Sequence, residues 1–167
     1  GGALGGDYTF TKLVLDGKRH WTVTEDNLGR RSVFTLRGQV GFAPGDPPIF
    51  ERFYAGGQAS IRGFEYRGVG PFERDEPIGG DFLLLAGGEY EFPLVGENFR
   101  GVVFVDAGTV EENTNLSTMR ASTGVGLRFT MDMMGAPVPF AFDFGFPLAK
   151  DDDDETQPFS FSIAWSF

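Results

Sequence analysis

Two acidic residues and one arginine are the side chains of this sequence whose types and positions suggest an interaction. Glu89 and Asp106 lie in alternating apolar and polar segments, on faces that the alternation assigns to the polar side or that are compatible with it. Two carboxylates on an enclosed face need a counter-charge, because desolvation and mutual repulsion disfavour them. Arg62 carries a planar guanidinium group suited to binding carboxylates. The residues alone leave two interpretations open: Arg62 pairs with both carboxylates, or it is a solvated loop arginine.

No other group of residues marks a catalytic or metal site. The chain has no Cys, which excludes thiolate metal ligands and a cysteine nucleophile, and a single His excludes a site with several His ligands. A Ser-His-Asp triad would depend on His20, and no motif marks a nucleophile or an acid to accompany it. We therefore predict that the protein is not an enzyme and binds no cofactor or metal.

The chain is acidic, and this limits its partners. The 14 Lys and Arg residues against 24 Asp and Glu residues give a net charge of −10. A nucleic-acid-binding protein needs a basic patch, and a peripheral protein on anionic lipid needs basic residues as well. The densest acidic segment, 151–155, has the ligand type that Ca²⁺ prefers but not the spacing of a calcium-binding loop. We interpret it as a solvated loop that resists aggregation.

The elements that must position these residues are predicted to be β-strands, because apolar and polar residues alternate with a period of two. In the segment 138–148 the even positions are apolar, four of them Phe, and the odd positions are small or polar. No segment predicts a helix, and no apolar run approaches the roughly 20 residues of a membrane-spanning helix. The alternation predicts seven strands: 8–23, 33–42, 82–92, 100–110, 120–131, 138–148 and 159–167.

Two all-β folds could use these strands, a soluble sandwich with its apolar faces in the core or a membrane barrel with its apolar faces toward lipid. The apolar faces are rich in aromatic residues and the opposite faces in Gly, Ser and Thr, whereas a soluble surface would carry more Lys and Glu. Short connections alternate with longer ones, as in outer-membrane barrels. The short ones are 24–32, 93–99 and 132–137, and the longer ones are 44–79, 111–119 and 149–158. The sequence therefore favours a transmembrane β-barrel.

The longest connection, 44–79, has no predicted secondary structure, and connections of this length are usually functional. Within it, the sequence FYAGG at 53–57 precedes the tetrapeptide IRGF at 61–64. The two together resemble the lumen-plugging loop of the BamA-type outer-membrane assembly factors. Two features downstream also resemble that family, the strand motif FVDAG at 104–108 and Glu89 late in the strand after the loop.

This resemblance, which covers about residues 8–167, implies a specific fold and site. The implied fold is all-β, with about seven antiparallel strands from the C-terminal half of a sixteen-stranded transmembrane β-barrel. Residues 1–167 would be a single C-terminal region of that barrel, and 44–79 would plug the lumen. The implied latch is Ile61, Arg62, Gly63 and Phe64, its lumen partners are Glu89 and Asp106, and Phe104 and Gly108 belong to the strand motif. The last strand would supply the C-terminal signal and one side of a gate: Phe159, Phe161, Ile163, Trp165 and Phe167.

The function implied by the resemblance is the folding and insertion of outer-membrane proteins through a lateral gate. Two alternatives stay open, a polypeptide translocation pore of the two-partner-secretion type and a barrel that anchors an upstream enzymatic domain. The implied location is the bacterial outer membrane. The implied partners are outer-membrane lipid, unfolded outer-membrane proteins and periplasmic accessory proteins bound through N-terminal domains, with no cofactor and no nucleic acid.

Overall fold

Seven long strands form one antiparallel sheet in which every strand lies beside its neighbours in the sequence. The computed structural model describes residues 10–45, 47–74, 76–96, 98–114, 116, 118–133 and 135–163. The long strands are β1 (Leu13–Glu25), β2 (Arg31–Phe42), β6 (Phe82–Val95), β7 (Phe99–Glu111), β8 (Arg120–Met133), β9 (Ala136–Ala149) and β11 (Phe159–Ile163). The all-β fold and the seven predicted strands are therefore confirmed. Two residues assigned to the last strand, Trp165 and Phe167, lie outside the described residues.

The connection between β2 and β6, residues 43–81, is called the long connection below. It was expected to lack secondary structure, and that expectation was wrong. It contains the 3₁₀ turn Ile49–Glu51 and the short strands β3 (Gly63–Phe64), β4 (Phe72–Glu73) and β5 (Glu76–Pro77). Strand β3 pairs with β10 (Thr156–Gln157), which lies in the connection between β9 and β11. A pairing between segments so far apart leaves no periodic pattern in either one, so the local sequence could not predict it.

The two faces of the sheet differ in composition and in exposure. On β2, Phe34, Leu36, Val40 and Phe42 all point to one side, and each remains 37–49% exposed. The residues between them point to the side that the long connection covers. We call these the outer and inner faces. A soluble sandwich would bury the apolar face, so an exposed apolar outer face supports the membrane-barrel interpretation over the sandwich.

Aromatic rings run across the outer face over β8, β9 and β11. The ring centres of Phe129 and Phe140 are 5.0 Å apart, those of Phe142 and Phe161 4.8 Å, and those of Phe144 and Phe159 5.0 Å. Aromatic pairs of this kind between adjacent strands stabilise a sheet beyond the area they bury. The Phe-rich alternation in the sequence thus becomes a continuous aromatic surface beside β11.

The apolar core lies between the long connection and the inner face of the sheet. Its members are Ala43, Phe53, Ala55, Ile61, Phe64, Val69, Leu83 and Val110. All but Leu83 and Val110 come from the long connection, so this segment supplies most of the core itself. This packing holds the long connection on the inner face, where its polar residues contact those of the strands.

The described residues contain no helix long and apolar enough to cross a membrane.

Candidate functional site

Residues 58–68, which we call the tip of the long connection, rest directly on the backbone of β9. Gly63 has a φ of +91°, and a Cβ atom built on it would lie 2.9 Å from the carbonyl carbon of Gly145. Gly145 is equally restricted, because its own Cβ atom would lie 2.6 Å from the amide nitrogen of Gly63. Glycine at both positions therefore permits a close approach of two backbones. This contact places Arg62, the residue before Gly63, against the inner face of the sheet.

Arg62 binds Asp106 of β7 through two parallel hydrogen bonds. Its Nε donates to Oδ2 at 2.7 Å, and its Nη2 donates to Oδ1 at 3.1 Å. The backbone N–H of Arg62 also donates to Oδ2, at 3.3 Å. Arg62 is 4% exposed and Asp106 0%, so this is a buried, bidentate ion pair of the strongest hydrogen-bonding type.

Arg62 also contacts residues of β6 and β7, and its Nη1 lies 3.9 Å from Asp143 Oδ1 of β9. Its Nη1 donates to Glu89 Oε2 at 2.5 Å, and its guanidinium carbon lies 3.5 Å from the ring centre of Phe104. Burial by itself lowers the pKa of Arg62. The hydrogen bonds and charges of Asp106 and Glu89 outweigh it, so the pKa of Arg62 is raised above its ordinary value. Arg62 therefore stays charged although it is buried, and it contacts three of the residues that the sequence singled out.

Two further arginines reach the same carboxylates from the strands. Arg37 of β2 donates through Nη2 to Asp106 Oδ1 at 2.9 Å and to the carbonyl oxygen of Ser60 at 2.8 Å. Arg128 of β8 lies 3.5 Å from Glu89 Oε2 through Nη2. Arg37 thus connects the long connection directly to β2, whereas Arg128 joins β8 to the carboxylate of Glu89 that Arg62 also binds.

A third carboxylate, Asp143 of β9, completes the group. Its Oδ1 is 2.9 Å from Arg128 Nη1, a close ion pair without hydrogen-bond alignment, and its Oδ2 accepts a hydrogen bond from Gln58 Nε2 at 3.0 Å. We call the six charged residues the charge network. They are Arg37, Arg62, Arg128, Glu89, Asp106 and Asp143. Its three positive and three negative charges balance, and it offers no nucleophile or open ligand position.

Sequence reasoning missed Arg37, Arg128, Asp143 and Gln58. Period-two alternation did place the first three on the polar faces of their strands. It gives the face of a strand but not the register between strands, and the register decides which polar residues meet. In the structure Asp106 lies opposite Gly87, and Gly126 lies opposite Asp143.

Glycines on the inner face make room for the charge network. A Cβ atom at Gly87 would lie 2.6 Å from Asp106 Oδ1 and 2.7 Å from Arg37 Nε. A Cβ atom at Gly126 would lie 2.2 Å from Asp143 Oδ1. The buried side chains therefore lie flat across strands that lack side chains of their own at these positions. This explains the glycine-rich polar faces of the sequence.

The other predicted site residues divide into two groups. Ile61 and Phe64 are buried in the core, and Gly108 lies against β6, where a Cβ atom would come within 2.5 Å of the Leu84 carbonyl oxygen. Phe159, Phe161 and Ile163 lie on the outer face and remain 41–46% exposed, apart from the charge network. The structure thus brings the latch and its predicted partners together and leaves the last strand separate.

The acidic segment 151–155 is only partly the solvated loop that the sequence suggested. Asp152 and Asp153 are exposed, but Asp154 is 6% exposed and accepts a hydrogen bond from Arg120 Nε at 2.9 Å. Arg120 lies more than thirty positions earlier in the sequence, and local composition does not reveal such a partner. Within the described ranges no group of three or more His, Asp or Glu side chains could hold a metal ion.

Comparison with known proteins gives one family. The model of the Omp85 superfamily domain matches residues 1–167. The outer membrane protein assembly factor BamA of Neisseria meningitidis serogroup B is 28% identical over 177 residues, covering 84% of this chain and 22% of that protein. The BamA of Nitratidesulfovibrio vulgaris is 30% identical over 181 residues, covering 100% of this chain and 22% of that protein. These matches confirm the resemblance to the BamA-type family.

A bovine relative and a solved structure extend the comparison. The sorting and assembly machinery component 50 homolog of Bos taurus is 31% identical over 119 residues, covering 65% of this chain and 25% of that protein. The crystal structure of BamA from Haemophilus ducreyi lacking POTRA domains 1–3 superposes with a TM-score of 0.79 at 22% identity. It covers 95% of this chain and 35% of that chain, and at this identity the likeness concerns the fold.

Reversing the charge of Arg62 should release the tip of the long connection. Arg62→Glu places a third carboxylate beside Glu89 and Asp106, and breaking a buried pair in this way costs about 3–5 kcal/mol. Adding Asp106→Arg restores an oppositely charged pair, but the rescue should be partial because the new arginine faces Arg37. The measurement is the urea midpoint of the protein folded in lipid vesicles. Arg74→Glu, an exposed residue of the same connection, is the matched control; equal midpoints for the Arg62 and Arg74 variants would contradict the assignment.

Replacing Gly63 by alanine should separate the two backbones at the tip. Gly135, in the turn between β8 and β9, has a similar φ of +85° but has no atom within 4 Å of a built Cβ. Gly135→Ala should therefore cost only the roughly 1–2 kcal/mol of a left-handed backbone. Gly63→Ala should cost clearly more, because the contact with Gly145 is lost as well. Denaturant unfolding of both variants measures the difference, and equal losses of unfolding free energy would exclude the close approach as its cause.

Proposed function

The chain belongs to the Omp85 superfamily, and from that membership we propose that the protein folds and inserts β-barrel proteins into the bacterial outer membrane. The match of the family model to the whole chain, together with bacterial relatives named as outer membrane protein assembly factors, carries this proposal. The chain spans 22% of the length of those relatives, so the proposed activity concerns the whole protein. The relatives are assembly factors and not enzymes, in agreement with the absence of a catalytic motif in the sequence.

Residues 1–167 serve in this proposal as one region of the barrel wall, with the segment 44–79 as the plug of the lumen. The exposed apolar outer face supports the first role, because lipid replaces water around Phe34, Leu36 and their neighbours. The charge network supports the second, because it binds the plug to strands β2, β6, β7, β8 and β9 at once. The latch therefore stabilises the plugged state and performs no bond chemistry.

The last strand is proposed as one side of a lateral gate. Within the described residues β11 pairs only with β9, at the edge of the sheet. An edge strand presents unpaired backbone groups that an incoming strand can bind. In a bilayer those groups must be satisfied within the protein, which favours pairing with a client strand or with the first strand of the same barrel. Phe159, Phe161 and Ile163 would contact lipid beside that opening.

The partners follow from this arrangement. Outer-membrane lipid surrounds the outer face, and unfolded outer-membrane proteins are the clients. Periplasmic accessory proteins bind through domains that precede the barrel in the sequence of the whole protein. No cofactor or nucleic acid takes part.

Depletion of the protein from its own cells tests the proposed activity. We expect a broad fall in many β-barrel proteins when the outer-membrane proteome is quantified, because each of them depends on the same insertion step. The amounts of inner-membrane proteins, quantified in the same cells at the same time, control for a general loss of growth. Loss of one secreted protein with all other barrels unchanged would overturn the proposal and favour the secretion-pore alternative.

A photo-cross-linking residue at position 163 tests the gate. Ile163 on β11 and Val125 in the middle of β8 both lie on the outer face, 41% and 53% exposed. If clients enter beside β11, the probe at 163 should capture unfolded outer-membrane proteins and the probe at 125 should not. Equal capture at both positions would mean that clients contact the outer face without using the last strand, which contradicts a gate there.

A further inference from the structure

The connection between β9 and β11, residues 150–158, is hydrogen-bonded to the tip of the long connection. We call it the final connection. Its strand β10 pairs with β3, so that Thr156 lies opposite Phe64. The amide of Glu65 donates to the carbonyl oxygen of Glu155 at 3.0 Å, and the amide of Glu155 donates to the carbonyl oxygen of Gly68 at 3.0 Å. The segment that leads into the last strand is therefore hydrogen-bonded to the segment that carries Arg62.

A buried ion pair fixes the final connection to the wall one residue before this contact. Arg120 Nε donates to both carboxylate oxygens of Asp154, at 2.9 and 3.2 Å, and the two residues are 4% and 6% exposed. Arg120 is itself positioned by β7 and by the segment just before β8, since its Nη1 donates to Thr109 Oγ1 at 3.2 Å and to the Thr118 carbonyl oxygen at 3.0 Å. Asp154 Oδ2 also accepts the amide of Asp151 at 2.6 Å, which fixes the turn.

The third attachment lies where the final connection enters β11. The amide of Gly145 on β9 donates to the carbonyl oxygen of Pro158 at 2.8 Å, and β11 begins at the next residue. Gly145 is also the residue on which Gly63 rests. Between Asp154 and Pro158 the chain is thus held by Arg120, by the tip of the long connection and by β9. A displacement of β11 away from β9 would therefore pull on residues 154–158 and, through their hydrogen bonds, on the tip of the long connection.

We propose that Arg120 is a positioning residue which, by binding Asp154, holds the final connection on the tip of the long connection and so couples the seating of the plug to the position of the last strand. The consequence for insertion of clients rests on the proposed function, but the positioning itself does not. Close packing supports a built contact, because a Cβ atom at Gly68 would lie 2.8 Å from the Glu155 carbonyl oxygen. Arg120 Nη2 also lies 3.8 Å from Asp151 Oδ2, but no ion pair joins Arg120 to the exposed neighbours Asp152 and Asp153.

A disulfide between positions 65 and 155 measures the positioning in the full-length protein. Glu65 and Glu155 are exposed and joined by the hydrogen bond described above, and the 167 residues contain no Cys. Glu65→Cys with Glu155→Cys should therefore form a disulfide rapidly under mild oxidation, as directly paired strand residues do. Each single-cysteine variant controls for other thiols. Only protein with the gel mobility of the folded barrel is counted.

Removing the charge of Asp154 should slow this disulfide. With Asp154→Asn we expect the rate to fall about tenfold, because Arg120 would lose the bidentate ion pair that holds the final connection in place and keep only its longer contacts with Glu111 and Asp151. Asp153→Asn, the same change at the exposed neighbour, should leave the rate unchanged. Arg120→Lys keeps the charge but loses the bidentate geometry, so it should give an intermediate rate. This variant tests the same contact if Asp154→Asn does not fold. Equal rates for the Asp154 and Asp153 variants would overturn the positioning role.

The coupling is tested by assembly of clients in cells that express each variant. Asp154→Asn should slow the assembly of outer-membrane barrels at an unchanged amount of folded protein, and formation of the 65–155 disulfide should restore it. A slower disulfide with normal client assembly would overturn the coupling but leave the proposed function standing. Failure of the depletion experiment, with the disulfide rates as expected, would instead remove the proposed function and leave the positioning role of Arg120 intact.

Discussion

The grouping of three carboxylates on the covered inner face, two of them fully buried, is the constraint on which the rest of the structure depends. Glu89, Asp106 and Asp143 project from β6, β7 and β9, and the last two are fully buried. The strands themselves supply only two arginines to this group, Arg37 and Arg128. The long connection supplies the third positive charge through Arg62, so the wall without the connection would keep an uncompensated buried charge. A buried network of this kind need not add net stability, but losing one member is costly, which favours a single seated arrangement of the connection.

Glycine is what allows this network to fit beneath a packed segment. Charged side chains lie across Gly87 and Gly126, and the backbone of the tip lies on Gly145. Side chains at these positions would clash with the charged groups or with the tip and hold the tip farther from the sheet. The same residues weaken the strands, because glycine loses more conformational freedom on folding than other residues. The compensating packing comes from the outer face, where Phe rings contact one another across β8, β9 and β11.

The sequence predicts the strands and the latch because both are local signals, and it misses the features that depend on contacts between distant segments. Alternation over 138–148 or 120–131 is a local signal, and the tetrapeptide at 61–64 is a local motif, so both are readable from the sequence. The partners of Asp106 beyond Arg62, the pairing of β3 with β10, and the burial of Asp154 depend on register and on contacts between distant segments. Asp154 illustrates the limit, because its neighbours on both sides are acidic and only its contact with Arg120 distinguishes it.

The proposed insertion of barrel proteins requires a stable interior beside an edge that can open, and in the structure the charge network and the edge strand β11 are separate. The charge network lies on strands β2 and β6 to β9, and no described side chain of β11 takes part in it. Displacing β11 from β9 would therefore break backbone hydrogen bonds and ring contacts such as Phe142 with Phe161, and lipid could replace the ring contacts. It would not break a buried ion pair directly. The final connection also joins that edge to the plug through the pairing of β10 with β3, so in the proposed coupling a displacement of β11 reaches the plug through this segment as well as through β9.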